Sequence, residues 1–336
     1  MNRKKQGFTL VELLVVLAVI GILAGMIFPA LKSGISKAHD EKCRTNLKQL
    51  HTACISYAND NGGNMPYAQS FERYSVQEDM YTCVSGWIAW TPKDHNPDTL
   101  GISEQTKTRD SRSSTLYHDR GHGDDARFGV ENGMIFEYMN CSMKHYVCPA
   151  AEKISIDENK VKETIYRTYA MNEFFYTESY QNWWNKRKLT SIGTSEEYLY
   201  DDARTVRKRK PEASKLLLFS ETLIYPYNSD NGIYNARREM GNACRHGDCI
   251  LVAWEKANID TKNTDVIMPI HQRKKQKDLE TNEEINFGFS YAVFVDGHIE
   301  QVQQSFKNGT KFYNTLWFLT RGVDPKNANA LGKGFE

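Results

Sequence analysis

The sequence predicts an α+β chain. A long N-terminal α-helix, with a transmembrane half and an amphipathic half, is expected to pack on a C-terminal antiparallel β-sheet carrying large insertions. Three observations predict it: nineteen uncharged residues from Leu13 to Leu31, an apolar stripe at helical spacing just beyond them, and an Asp-Gly pair between two alternating runs near the C-terminus.

The uncharged run is the first element. At about 1.5 Å per helical residue it is long enough to cross a hydrocarbon core of roughly 30 Å. The seven residues before Phe8 carry Arg3, Lys4 and Lys5. Such a basic flank holds the N-terminus in the cytoplasm and sends the remainder outward. A secretory signal has a shorter apolar region and a cleavage site on its far side. Here the small residue, Gly7, stands on the near side, so cutting there would leave the whole span on the mature chain.

The leader ending in Gly7, followed by Phe8, Glu12 and about twenty apolar residues, closely resembles the type IV prepilin signal. Pro29, the twenty-second residue from Phe8, and Gly21 fit the same pattern. The resemblance implies cleavage between Gly7 and Phe8 by prepilin peptidase, N-methylation of Phe8, and assembly through Glu12. An acidic side chain in a membrane helix costs on the order of 2.5–3.5 kcal/mol and calls for a partner. In the family that partner is the Phe8 amine of the neighbouring subunit. The alternative is that Glu12 offsets only its own helix N-terminus and amine. Pro29 lacks a backbone donor and is expected to bend or loosen the helix near Gly25 to Phe28.

The second half of the helix follows from Cys43, Leu47, Leu50, Cys54 and Tyr57, spaced four, three, four and three apart on an otherwise polar segment. That stripe should face a sheet. Asp60-Asn61-Gly62-Gly63 stops it. The expected organisation is a leader over 1–7, a transmembrane and assembly helix over 8–31, its amphipathic continuation over 32–62, and a globular domain over 63–336.

In the globular part, 67–127 reads as a long connection rich in turn and charge clusters. Strands are expected at Thr164 to Met171, Lys215 to Glu221, Cys249 to Trp254 and Tyr291 to Val302, each rich in β-branched or aromatic residues. Tyr291 to Val295, Asp296-Gly297 and His298 to Val302 predict a hairpin with a type I′ turn. Cys43 to Gln49, Cys148-Pro149-Ala150, Arg245 to Asp248 and Val295 to His298 are similar to segments of the major pseudopilin of type II secretion. In relatives the arginine-histidine-glycine element stands shortly before the Asp-Gly turn. Here 253–289 intervenes as a charged insertion. The resemblance implies a pilin-like fold in a single-pass protein of the inner membrane, with its globular domain periplasmic or extracellular. It also implies the partners: copies of itself and other pilins, prepilin peptidase, an inner-membrane assembly platform and membrane lipid.

Charge and cysteine content narrow the class further. There are 43 basic and 42 acidic residues, so nothing calls for nucleic acid. Loss of the leader lowers the formal +1 by three to −2. The basic runs Arg207 to Lys210 and Arg273 to Lys277 each stand among loop-like residues and read as solvated surface. Seven cysteines suit an oxidising compartment. Cys141 with Cys148 and Cys244 with Cys249 are the expected local pairs. Cys43 and Cys54, eleven residues apart on one helix, lie about 16 Å apart and cannot pair.

The chain is not expected to be an enzyme, and no cofactor is expected. His246, Asp248, Asp296 and His298 are ligand types for a divalent ion, but turn formation and strand-end hydrogen bonds explain them as well. His118, His122, Asp124 and Asp125 could form a calcium loop, although no spaced EF-hand pattern is present and a solvated loop explains them. Trp183-Trp184 beside Tyr180 could be a ligand patch or a lid on the core. The alternatives to a filament subunit are therefore a minor pilin or adhesin, and a metal-dependent domain on a prepilin anchor.

Overall fold

The computed structural model describes residues 10–68, 70–75, 80–89, 91–92, 116–117, 123–159, 162–175, 188–194, 197–200, 206–210, 212–222, 250–251, 270–277, 284–307 and 310–311. Helix α1, Leu10–Asp60, is one unbroken helix of 51 residues, continuous through the Gly25 to Phe28 segment where loosening was expected. It stops as the sequence predicts. Gly62 and Gly63 take positive φ, and the Gly63 N–H returns to the Ala58 carbonyl at 2.7 Å. Glycine occupies this left-handed position at a helix end without the usual penalty of a Cβ.

The two halves of α1 differ completely in environment. Large apolar residues from Leu10 to Ile35 are exposed, whereas Cys43, Leu47, Leu50, Cys54 and Tyr57 are buried in the main core. Burying each leucine contributes roughly 1.5–3 kcal/mol. The stripe at spacings of four and three thus faces the globular part, as its periodicity requires.

The other elements follow in chain order. They are β1 Phe71–Ser75, β2 Met80–Val84, β3 Thr91–Pro92, β4 Leu116–Tyr117, α2 Gly123–Glu131, α3 Pro149–Asn159, β5 Tyr169–Asn172, β6 Glu197–Tyr200 and β7 Val206–Arg209. Next come β8 Leu217–Glu221, β9 Ile250–Leu251, β10 His271–Lys277, β11 Glu284–Phe294, β12 Ile299–Lys307 and β13 Thr310–Lys311. The main sheet runs β13-β12-β11-β8-β5-β9, with β10 also paired to β11. Strand β11 is the spine. On one edge it carries β12; on the other, β10 pairs with its first half and β8 with its last residues. Tyr291, Val293 and Val295 join the core that holds the helix stripe, while Ala292 and Phe294 alternate into a second cluster with Leu217 and Val302. That period of two is the pleat of a strand.

Several expectations need correction. The sheet is antiparallel except at its edge, where β9 joins β5 in parallel, and both β8 and β5 stand between Ile250 and β11. Strand β5 begins at Tyr169, later than Thr164. The 67–127 segment is more than a connection. It forms the β1–β2 and β3–β4 ladders, and Trp87 is fully buried with its ring 4.8 Å from that of Phe219. The two basic runs also form strands: Arg207 to Arg209 lie in β7, which pairs with β6, and Arg273 to Lys277 lie in β10, which pairs with β11. Finally, the part of 253–289 that is described is not an excursion from the sheet: β10 and the first half of β11 extend it.

Candidate functional site

The described residues bring titratable chemistry together at two places along α1. The first lies where the buried half of the helix begins. Asp40 sits on α1, three residues before Cys43, and Cys148 immediately precedes α3. Glu221 ends β8, and His271 opens β10. Cys43 and Cys148 form a disulfide with a Cα separation of 5.1 Å, so Cys141 is free and exposed, and the expected Cys141–Cys148 pair is not made. The physical reason is the helix stripe: burial of Cys43 sets it against the chain entering α3. Asn46 reinforces this contact by donating to the Val147 carbonyl at 2.7 Å. Cys54 is free and buried. Cys244 and Cys249 lie outside the described residues.

His271 is held between two carboxylates. Its Nδ1 lies 2.7 Å from Asp40 Oδ1 and its Nε2 lies 2.8 Å from Glu221 Oε1. The Tyr291 backbone N–H donates to the other oxygen of Glu221 at 2.8 Å. The side chains of His271 and Glu221 are 1% and 0% exposed, that of Asp40 11%. A neutral imidazole has one donor and one acceptor, so facing two carboxylates favours the doubly protonated ring. Burial pushes the His271 pKa down, but the Glu221 and Asp40 carboxylates outweigh it and hold it above the usual value. The ring also stacks on Phe289 at 5.4 Å, and the Arg44 guanidinium lies 5.8 Å from the centre of the Tyr291 ring.

The second place is the hairpin turn. Gly297 N–H closes a turn on the Phe294 carbonyl at 2.9 Å, and of its residues only Gly297 takes positive φ, 86°. Val295 and Asp296 are therefore its central pair, followed by a left-handed glycine, and the expected type I′ turn is not formed. The Val295 N–H is committed to the Leu216 carbonyl and its side chain to the core, which places Val295 at the first central position of the turn and leaves the left-handed position to Gly297. The helix grips the turn: Lys48 Nζ donates to the Gly297 carbonyl at 3.0 Å, and His51 Nε2 to that of Val295 at 2.9 Å. A Cβ at Gly297 would stand 2.8 Å from the His51 ring. Glycine is thus required there by both conformation and space.

Of the metal candidates in the sequence, Asp296 and His298 meet at this turn. His298 Nδ1 bonds Asp296 Oδ1, and its Nε2 lies 3.1 Å from Glu300. Both ring nitrogens are engaged within the chain. Burial lowers the His298 pKa, but the two carboxylates raise it further, to a net value above the usual one; hydrogen bonds from His298 carry Asp296 below its ordinary value against the effect of burial. The sign follows for each group. Stability from His298 is complete below its unfolded pKa of about 6.5 and is lost as pH rises through its folded value. That from Asp296 is complete above about 3.9 and is lost as pH falls through its folded value. In an NMR titration the His298 ring should turn over above the value of a free histidine, and Asp296→Asn should lower that midpoint. A midpoint at or below the free value would contradict the pairing.

The remaining sequence candidates are dispersed. Glu12 lies in the first turn of α1, and Pro29 lies within its backbone. Asp124 and Asp125 belong to the first turn of α2 rather than to a loop. Gly7, Phe8, His118, His122, Tyr180, Trp183, Trp184, His246 and Asp248 lie outside the described residues. Sequence reasoning missed Asp40, Glu221 and His271. A carboxylate just past the apolar run Leu216 to Phe219 was one available signal, since buried acids need partners.

An exposed apolar half-helix, continuous with a half buried on a β-sheet, defines a pilin-like protein. The helix is long and apolar enough to cross a membrane. The prokaryotic N-terminal methylation motif matches residues 2–28. Over 96 residues the chain is 41% identical to the type II secretion system core protein G of Vibrio cholerae, covering 27% of this chain and 66% of that protein. The same-named protein of Klebsiella michiganensis is 31% identical over 100 residues, 28% of this chain and 70% of the relative. The type IV major pilin protein PilA of Myxococcus xanthus is 41% identical over 56 residues, 17% of this chain but only 26% of that pilin. No solved structure matches the chain. The chain belongs to the prepilin-like family that includes the type II secretion core protein G.

Proposed function

We propose that the chain is a structural subunit of a type IV pilus-like or type II secretion-like filament, made as a precursor and cut between Gly7 and Phe8. One observation carries this reading: the N-terminal methylation motif over residues 2–28 runs into a helix whose apolar half is left uncovered by the globular part. Residues 1–7 are the leader. The 8–31 segment anchors the precursor in the inner membrane, N-terminus in the cytoplasm, and becomes the packing element of the filament. The 32–62 segment ties that helix to the domain formed by 63–336, which lies on the periplasmic or extracellular side. Phe8 is methylated after cleavage, and its amine in one subunit pairs with Glu12 of the next, satisfying a carboxylate that is costly in hydrocarbon.

The role is structural, with no catalysis by this chain. Its partners are other copies and related pilins, prepilin peptidase, an inner-membrane assembly platform and lipid. The test is expression of the full chain with and without a prepilin peptidase, followed by intact mass and N-terminal sequencing. The expected product begins at methylated Phe8 only when the peptidase is present. A chain that keeps Met1, or one cut beyond Leu31, would overturn the precursor reading.

A further inference from the structure

The buried cluster holds more ligand chemistry than a disulfide uses. Cys43 Sγ, Cys148 Sγ, a Glu221 oxygen and a His271 ring nitrogen all lie within 4.8 Å of one another, and all four residues are buried. Two thiolates, an imidazole and a carboxylate suit a tetrahedral zinc-class ion. Metal–sulfur bonds of about 2.3 Å and metal–nitrogen or metal–oxygen bonds of about 2.0–2.2 Å would set those donors roughly 3.3–3.8 Å apart. We propose that in its thiol form the chain holds one zinc-class divalent cation between Cys43, Cys148, His271 and Glu221, at the point the disulfide closes in the oxidised form.

The surrounding geometry supports each ligand. The four donors come from four separate segments, yet His271 Nε2 faces both Glu221 Oε1 at 2.8 Å and Cys148 Sγ at 3.7 Å. Asp40 contacts the opposite nitrogen, Nδ1, at 2.7 Å. A carboxylate behind the imidazole fixes the tautomer and ring orientation that a metal-binding histidine needs. The Tyr291 N–H occupies Oε2 of Glu221 at 2.8 Å and leaves Oε1 facing His271 Nε2, also at 2.8 Å. An uncharged disulfide gives no reason to bury two carboxylates and a histidine beside it, which is costly without strong compensation. The conversion balances. A dithiol reductant delivers two electrons and two protons to the S–S bond and itself becomes a disulfide. The cation then displaces the two thiol protons and the proton on His271 Nε2 into water, and its bonds to the two sulfurs, the nitrogen and the Glu221 oxygen form. The site is independent of whether the chain assembles into a filament.

The test uses the full chain in detergent, reduced without oxygen by a phosphine and titrated with Co2+, then Zn2+, with far-UV circular dichroism recorded on every sample. One Co2+ per chain should bind with the thiolate-to-cobalt charge-transfer band and the visible absorption of four-coordinate cobalt, and Zn2+ should displace it. The unreduced chain should give no band, and Cys54→Ala should keep it. His271→Ala and Glu221→Ala should each weaken binding at least tenfold. Should either lose its fold, Asp40→Asn, which keeps all four donors, carries the test with a loss of about 10–100-fold in affinity and the band retained. A folded, reduced chain without the band would overturn the site. So would a band and an affinity unchanged by the folded His271, Glu221 and Asp40 variants, because thiolates alone would then account for the metal.

Discussion

His271→Ala is expected to destabilise the oxidised, metal-free chain by about 3–5 kcal/mol, the cost of leaving buried charge without its partner. In the native chain the imidazole sits between Asp40 and Glu221 with both nitrogens in contact. Removing it leaves Glu221, fully buried, with the Tyr291 N–H as its remaining named donor, and leaves Asp40 facing a cavity. The loss far exceeds that of a surface ion pair, where about 0–1 kcal/mol is usual. It also differs in kind from the loss of packing area, which a control can separate. His271→Gln keeps a donor and much of the volume and should recover part of the loss, whereas an apolar replacement of similar size, His271→Leu, should not. Denaturant unfolding of the full chain in detergent, followed by circular dichroism, gives the comparison. A loss below about 1 kcal/mol for His271→Ala would mean that the two carboxylates do not depend on the ring for their compensation.

The helix was readable because its signals are local. A nineteen-residue uncharged run, a stripe at spacings of four and three, and a double glycine each lie within a few turns of one another, and the long helix obeys all three. The β11–β12 hairpin was readable for the same reason, and so was β8, which opens on the apolar residues Leu217 to Phe219. What escaped depends on residues far apart in the chain. The disulfide joins positions 105 residues apart, a closure fixed by how the helix face meets the start of α3, so the nearer cysteine made a misleading partner for Cys148. His271 stands in a charged segment that looks like an insertion. Only the pairing of β10 with the first half of β11 brings it against Glu221. The turn shows a subtler limit. Asp-Gly favours a type I′ loop when nothing else constrains it, but here His51 of the helix and Leu216, just before β8, both hold Val295, and the pair shifts by one residue relative to the turn. Trp87 was lost among turn and charge signals although it lies at the centre of the core.

Removing the disulfide with Cys43→Ala/Cys148→Ala should be nearly as costly, and the size follows from loop length. Chain-entropy reasoning gives about 4.7 kcal/mol for a closed loop of about 100 residues, with 2–5 kcal/mol the usual range on removing a native bridge. The separation here is 105 residues, and the closed loop contains the end of the helix, β1 to β4 and α2, so the bridge restrains a large share of the unfolded chain. The loss should appear mainly where α1 meets the globular part. Asn46 to Val147 and the grip of Lys48 and His51 on the hairpin would then have to hold the helix without a covalent tie. The double variant and the reduced wild type should therefore unfold at similarly low denaturant in a chelator. Zinc separates them: at a free concentration one hundred times its dissociation constant, a ligand bound only by the folded state adds about 2.7 kcal/mol. The reduced wild type should gain stability of that order, and the double variant none. If the double variant unfolded at the midpoint of the oxidised chain, the covalent tie between α1 and α3 would be dispensable. The noncovalent grip on the hairpin would then be what keeps the helix on its sheet.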